Sequence, residues 1–401
     1  MERVTLPPAG WRTRDGLAQL CAVLGSAEGK VRFVGGAVRD TLLGLDVADV
    51  DLATTHSPEQ VIALLRASAI KPVPTGLAHG TVTAVLPGGP VEVTTLRCDV
   101  ATDGRHATIA FTDDWREDAA RRDFTMNALY ADPATGAIFD YFGGLDDLEA
   151  RRVRFIGDPL KRIAEDHLRI LRFFRFHARF GDEPDLAGLE ACTARANDLM
   201  ALSRERIAAE LLKLLVAVHA VRVVSLMIGH GIFVPVLPEI TGADRLERLV
   251  EREKVTGIAP EPIRRLAALL PADLAVAEDV GARLKLSKVY RKRLVNAAGP
   301  IGDEPAPVIG YRLGTTHAID RLLLSDRPIS EAASLVHWQA PVLPITGGAL
   351  VARGLRKGPD VARILRAIEE QWIARGFPDE AQVTTIADTA VAQWLRASSK
   401  A

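Results

Sequence analysis

Cysteine is nearly missing from this chain. Cys21, Cys98 and Cys192 are the only three in 401 residues, far apart and at no metal-ligating spacing. That excludes a disulfide scaffold or a zinc finger, and the thiols read as buried small hydrophobes in a reducing compartment. A dominant charge is missing too. The formal net charge is −1, so the chain is no basic coat for nucleic acid, and such a partner must be held by a local patch. No apolar run is long enough to span a membrane, and no N-terminal stretch resembles a signal peptide. A cytoplasmic location is therefore expected. The glycine fingerprints of dinucleotide and Walker phosphate sites are absent, as are repeats, coiled-coil runs and low-complexity segments. What remains is ordinary for a soluble protein of more than one domain, with 48% hydrophobic and 25% charged residues.

The chain changes character near residue 150. Before it, β-prone runs alternate with short helical patterns. "VRFV" precedes Gly35-Gly36, and "ADVDLAT" alternates as a strand does. Ser57-Pro58-Glu59 reads as a capped helix start, with the helix running to about Ser68. "TVTAVL" and "VEVTTLR" flank Pro87-Gly88-Gly89-Pro90, a hairpin signal. Residues 99–112 are polar and poorly periodic, which reads as a mobile loop. After residue 150 helical periodicity takes over. Pro159 to Phe180 reads as one long helix, and "SRERIAAELLKLLVA" as another with a Ser cap. More helices are expected at 245–255, 262–275, 279–297, 317–325, 328–337, 358–375 and 381–396, with Pro- and Gly-rich joints near 257–262, 299–310 and 340–348. The expected fold class is α+β, a small mixed sheet with helices followed by an all-α remainder.

Three groups of residues carry chemistry. In the first, Asp49 and Asp51 share one face of the expected strand, since side chains at i and i+2 do. Paired carboxylates repel unless a cation sits between them, and hard oxygen ligands suit Mg²⁺ bound together with substrate phosphates. Gly35 and Gly36 lack a Cβ, so a phosphate can approach their backbone N–H groups at a helix start. Arg39, on the first turn, can pair with a phosphate or with Asp40. A lone Gly-Gly is a turn and a lone D-x-D a solvated edge. Their order here, strand, Gly-Gly, helix, D-x-D, points to metal-dependent nucleotidyl transfer. Glu92, on the second hairpin strand, is the candidate third acid.

The second group is "RRDFTMNALY". Arg122 offers a guanidinium fork to triphosphate oxygens. Asp123 can orient that Arg or accept from a ribose hydroxyl. Asn127 shares its helical face if a helix starts here. The third is "EDHLRILRFFRF", where Glu165, Asp166, Arg169, Arg172 and Arg175 form a polar ridge beside Leu168, Leu171 and Phe174. This is either a surface salt-bridge ladder or a wall that reads bases. In the second case Asp166 and Arg169 present an acceptor beside donors, which matches the Watson–Crick edges of cytosine and adenine. Guanine and uracil would turn a carbonyl toward the carboxylate, at roughly 1–3 kcal/mol for each unpaired buried group.

With these residues in order, the chain resembles the class II tRNA nucleotidyltransferases, the CCA-adding enzymes of the bacterial poly(A) polymerase superfamily. The matching blocks are "GGAVRD" with "DVD", "ARRDFTMNALY", "FDYFGGLDDL", "EDHLRILRFFRF" and "SRERIAAELLKLL", between residue 31 and about 215. Beyond 220 the likeness thins to "LKLSKVYRKRL". The resemblance implies a catalytic head over 1–150, a helical neck over 151–220, an RNA-binding body over 221–335 and a tail over 336–401, laid out like a seahorse. It implies that Asp49 and Asp51 hold Mg²⁺. It implies that Gly36, Arg39 and Arg122 with Asp123 contact the triphosphate and ribose. Gly35 and Asn127 are further candidates for nucleotide binding from their residue types and spacing alone. Asp166 and Arg169 would then select the base, with Arg172 and Arg175 behind them. "DGRH", Asp103 to His106, resembles the loop that lets such enzymes switch from CTP to ATP. The expected partners are tRNA, CTP and ATP, with no membrane or protein partner implied. Arg151, Arg152, Arg154, Arg204, Arg206 and the Lys285–Arg293 segment are candidates for RNA phosphates. No adjacent His-Asp pair stands in the C-terminal half, so the phosphohydrolase activity of some relatives is not expected. A poly(A) polymerase, a CC-only or A-only enzyme, and an inactive RNA-binding module remain as alternatives. The short ending "RASSKA", without a long basic tail, speaks against the first.

Overall fold

The computed structural model describes residues 4–102 and 107–398. The "DGRH" segment lies outside the described residues. Contacts divide the chain into two units, residues 1–241 and 242–401.

The first unit is built on a mixed sheet. Its strands are β1 Val31–Val34, β2 Asp51–Thr54, β3 Lys71–Gly76, β4 Thr81–Leu86, β5 Gly89–Thr95, β8 Leu129–Ala131 and β9 Ile138–Asp140, in the order β3-β4-β5-β2-β1-β8-β9. Only β2 and β5 run parallel, with Asp51 beside Glu92 and Thr54 beside Thr95. β4 and β5 form the expected hairpin, with Leu86 opposite Gly89. Gly88 in its turn lies against the Asp15 backbone, where an added Cβ would stand 2.8 Å from the Asp15 nitrogen. The sheet is packed by helices α1 Leu17–Val23, α2 Gly36–Leu42 and α3 Pro58–Ala67. Helix α3 starts where its signals put it. Ser57 and Gln60 form a capping box around Pro58.

The stretch 99–112, expected as a loop, departs from that reading. Its described residues 99–102 and 107–111 belong to a two-stranded ribbon of β6 Arg97–Thr102 and β7 Ala107–Phe111. Backbone pairing supplies order there without an alternating apolar pattern. Cys98 sits on β6 and is only half-buried, unlike Cys21 and Cys192.

Helices α4 Trp115–Ala120 and α5 Gly144–Glu149 lead to the second departure. The expected long helix from Pro159 to Phe180 is two helices, α6 Pro159–Glu165 and α7 Arg169–Phe180. Asp166 between them is extended, at φ −152° and ψ 107°. Its carboxylate accepts the Leu168 N–H at 3.1 Å and opens the next helix. Phe173, Phe174, Phe176 and Phe180 bury the apolar side of α7, and Phe173 stacks on Phe155 at 5.6 Å. Helices α8 Leu186–Ala194, α9 Arg204–Leu215 and α10 Ala220–Gly229 complete the unit, with α9 and α10 packed on α7.

The second unit is helical throughout its described residues. It holds α11 Asp244–Thr256, α12 Pro262–Leu269, α13 Leu274–Arg283, α14 Lys288–Ala298, α15 Ala306–Leu313, α16 Thr315–Leu324, α17 Ile329–Ser334, α18 Gly347–Ala352, α19 Pro359–Ala374 and α20 Glu380–Ser398. The expected helix over 279–297 breaks at Lys285, whose φ is +51°. Ser287 then caps α14 through the Tyr290 N–H. Helix α15 begins inside the expected joint at 299–310. A proline in a first turn starts a helix rather than breaking it, and Pro305 and Pro307 stand there. Ile364, Ile368, Trp372, Val383 and Ile386 form the core between α19 and α20.

Candidate active site

A cleft of about 420 Å³ opens in the first unit. The sheet side supplies Gly35, Gly36, Arg39, Asp51, Arg121, Arg122, Asp123 and Asn127. The helical side supplies Asp166, Leu168, Arg169, Arg172, Phe176 and Arg206. Residues more than 150 positions apart thus face one space. Six arginines and three aspartates line it, a surface that suits a polyanion.

The acids come first. Strand β2 begins at Asp51, so Asp49 precedes the strand instead of lying on it as expected. Asp51 is half-buried, while Asp49 and Glu92 are exposed. Burial pushes the Asp51 carboxyl up to about 6, Glu92 on the neighbouring strand adds to the rise, Arg122 opposes it, and Asp49 adds further. A carboxylate pressed by two other acids at a solvent-facing edge is what a hard cation relieves. Among the described residues no three acids or histidines stand close enough to enclose a metal alone. The donor set therefore fits Mg²⁺, which takes one or two carboxylates and completes its shell with phosphates and water.

The floor is formed by glycine. Gly35 has φ +68°, and an added Cβ would stand 3.6 Å from Arg122 Nη1. Arg39 follows on α2. Its Nε donates to Asp40 Oδ1 at 2.7 Å and its Nη1 to Asn127 Oδ1 at 2.5 Å.

The "RRDFTMN" segment differs from expectation in its backbone. It is a 3₁₀ turn over Thr125–Asn127, not the start of an α-helix. Asp123 and Asn127 still meet, through Asn127 Nδ2 to Asp123 Oδ1 at 3.0 Å. Asp123 Oδ2 is held by Arg172, whose Nε donates at 2.8 Å. Burial alone would raise the Asp123 carboxyl, but Arg172 and the hydrogen bonds hold it below the usual range. Arg121 and Arg122 are anchored from behind by Asp118, at 2.8 Å and 3.1 Å. Burial also works against the Asp118 carboxylate, yet Arg122, Arg121 and the Tyr130 hydroxyl bring it down to about 2.

The helical wall is arranged differently from a simple ridge. Asp166 and Arg169 both face the cleft, but the break before α7 keeps them from being i, i+3 partners on one helix. Arg206, on α9, grips both oxygens of Asp166 at 3.1 Å and 2.9 Å. Arg169 pairs with Glu165 and donates to the Arg162 and Arg121 carbonyls. Arg175 lies outside the cleft. It donates to Glu210 and lines a separate cavity with Arg179 and Lys213. Leu168, Phe176 and Arg206 were not singled out for this site by sequence. Arg206 does stand in the quoted "SRERIAAELLKLL" block, so the block was the available signal. Of the other phosphate candidates, Arg152 and Arg154 turn to buried Asp147, and Arg293 to buried Asp320.

Known proteins share the family and the fold. Residues 31–154 match the family model of the poly A polymerase head domain, and residues 185–243 that of a probable RNA and SrmB-binding site of polymerase A. Sheet, cleft and helical continuation define the class, an enzyme that transfers nucleotidyl groups. The CCA tRNA nucleotidyltransferase 1, mitochondrial, of Mus musculus is 34% identical over 386 residues, 90% of this chain and 87% of that protein. The CCA-adding enzyme of Streptococcus gordonii is 31% identical over 366 residues, 87% of this chain and 90% of that one. The crystal structure of the Bacillus stearothermophilus CCA-adding enzyme in complex with CTP matches with a TM-score of 0.75 at 27% identity, over 95% of this chain and 99% of that one. The chain belongs to the class II CCA-adding enzymes, the tRNA nucleotidyltransferases.

Proposed function

We propose that this chain adds CCA to the 3′ end of tRNA from CTP and ATP without a nucleic-acid template, releasing pyrophosphate. The observation that carries the reading is the single cleft shared by Asp51, Gly35, Gly36, Arg39 and Arg122 on one side and Asp166, Arg169 and Arg172 on the other. Phosphate chemistry and base selection need to be about one nucleotide apart, and a shared cleft for the two residue groups supports that division of roles.

In this proposal Asp49 and Asp51 hold Mg²⁺, with Glu92 beside them. Bound there, Mg²⁺ supplies Lewis-acid stabilisation of the attacking and leaving oxygens in a two-metal transfer. The backbone of Gly35 and Gly36 and the guanidinium groups of Arg39 and Arg122 receive the triphosphate. They orient its α-phosphate toward the RNA 3′-hydroxyl and bear the charge of the departing pyrophosphate. Asp123 and Asn127 fix Arg172 and Arg39 in place. Asp166 accepts the exocyclic amino group of cytosine or adenine, and Arg169 donates to the neighbouring ring nitrogen. Because Arg206 holds Asp166 and Glu165 holds Arg169, the wall is set before the base arrives. A cytoplasmic location is part of the proposal and rests on three free cysteines. The mouse relative is named as mitochondrial, so cell fractionation decides the point.

The test is incubation with tRNA lacking its 3′ end, with CTP alone, ATP alone and both. Growth by two nucleotides with CTP, one more with ATP, then arrest, is the expected result. Unlimited growth on ATP would make the chain a poly(A) polymerase. No growth at all would refute the proposal.

A further inference from the structure

Arg39 reaches the cleft from a buried position. Its Nε and Nη2 both bond Asp40 Oδ1 at 2.7 Å, and its Nη1 bonds Asn127. One oxygen of the buried Asp40 is therefore committed to Arg39. The other is met by Arg179 Nη2 at 3.3 Å. Arg179 stands at the last turn of α7, ten residues after Arg169, roughly 15 Å along the helix. It is absent from the cleft lining. Arg39 and Arg179 also share one aromatic ring, with guanidinium carbons 4.4 Å and 4.9 Å from the centre of Phe180. The helix that presents Arg169 and Arg172 to the cleft thus also reaches the residue that aims Arg39.

We infer that Arg179 is a positioning residue for the nucleotide site, fixing the Asp40 carboxylate and through it the angle at which Arg39 enters the cleft. The inference rests on the reading of the cleft as the nucleotide site. With Arg179 removed, the second Asp40 oxygen loses its cation, only Oδ1 is still held by Arg39, and the carboxylate can turn about its bond. Arg39 then loses the fixed edge that leaves it pointing at a phosphate. The side chain of Arg179 is 46% exposed, so truncating it opens no cavity.

The experiment uses the full-length chain as Arg179→Ala and Arg179→Lys. Equilibrium binding of CTP and of ATP is measured, together with kcat and KM on tRNA lacking CCA. In Arg179→Ala the Kd and KM for both nucleotides should rise roughly five- to tenfold, with kcat within about twofold and the CTP-to-ATP preference unchanged. Arg179→Lys should recover most of that loss, and Arg179→Ala introduced into Asp40→Asn should cost little beyond Asp40→Asn alone. Unchanged nucleotide affinity would overturn the inference. So would a rise in KM for tRNA alone, which would make Arg179 an RNA contact, or a fall in kcat at constant KM. If the unmodified enzyme binds CTP and ATP but transfers nothing, the proposed function fails while the binding comparison still judges Arg179.

Discussion

Each unit holds a cluster of arginine and acid, and the two use the same pairing in a different arrangement. In the second unit Arg264 gives Nε and Nη2 to Glu253, Nη2 also to the Ala259 carbonyl, and Nη1 to Asp320. Arg265 takes the second Glu253 oxygen, and Arg293 ties Asp320 to Glu261. Glu253, Arg264 and Asp320 are at most 2% exposed. Every nitrogen of Arg264 points inward. In the cleft Asp118 and Asp123 each take one edge of an arginine instead. Asp118 holds Nη2 of Arg122, and Asp123 holds Nε and Nη2 of Arg172. Among the described residues Nη1 of each has no hydrogen-bond partner. A cluster of arginines is thus a strut or a receptor according to which edge of the fork its acids take, and counting charges does not tell the two apart.

The largest effect that separates the clusters is chemical. Asp51→Ala and Asp49→Ala should each lower nucleotide transfer by about 10³-fold or more, with a Tm close to that of the unmodified enzyme. Activity retained in both would place the metal elsewhere. Next comes the strut. Asp320→Ala leaves Nη1 of Arg264 and Nε of Arg293 without their buried acceptor and should reduce unfolding free energy by about 3–5 kcal/mol in urea denaturation. CTP affinity of the folded molecules should stay unchanged. A loss of CTP affinity without loss of stability would erase the distinction drawn between the clusters.

A smaller effect lies within the receptor itself. Asp166→Ala removes the acceptor that Arg206 holds in place, and selection of CTP or ATP over UTP should relax by about tenfold. Misincorporation assays measure this directly, and an unaltered preference would assign base choice to other groups.

How much of this could be read beforehand follows from the range of the forces involved. The capping box at Ser57 and the β4–β5 turn are local patterns, and each was legible. Of the three groups of candidate residues, Asp51, Arg122, Asp123, Asp166 and Arg169 line the cleft while Asp49, Glu92 and Arg175 do not. The convergence of Gly35, Arg122 and Asp166 on one cleft came with the family resemblance, because nothing in spacing alone brings them together. The break at Asp166 was hidden. Residues 160–180 contain no Gly or Pro to mark it, and Ile163, His167, Ile170 and Phe174 keep a three- to four-residue spacing through it. What bends the chain is a side-chain bond to the Leu168 N–H and a clamp from Arg206, forty residues away. The fate of Arg293 was hidden for the same reason. Its basic neighbours suggested a surface, and its acid partners come from α12 and α16.

The smallest effect concerns acid. Behind the cleft wall, His177 on α7 is 1% exposed and stacks against Phe173, with interplanar angle 8°. Among the described residues its Nδ1 has no hydrogen-bond partner. Burial lowers its pKa to about 4, helped by Arg222 and His219 and opposed only by Asp182. The folded value lies below the ordinary 6.5. As pH falls the unfolded chain therefore takes up the proton first, and stability present above pH 6.5 is lost progressively toward pH 4. Between pH 7 and pH 5 this group should remove about 1–2 kcal/mol. Hydrogen exchange should show the loss in α7, α9 and α10, and less of it in α12, α14 and α16, where the carboxylates are already met by arginines. His177→Phe should flatten the pH slope of the first unit whatever it does to absolute stability. An unchanged slope would mean that other groups set the acid sensitivity of the unit that carries the cleft.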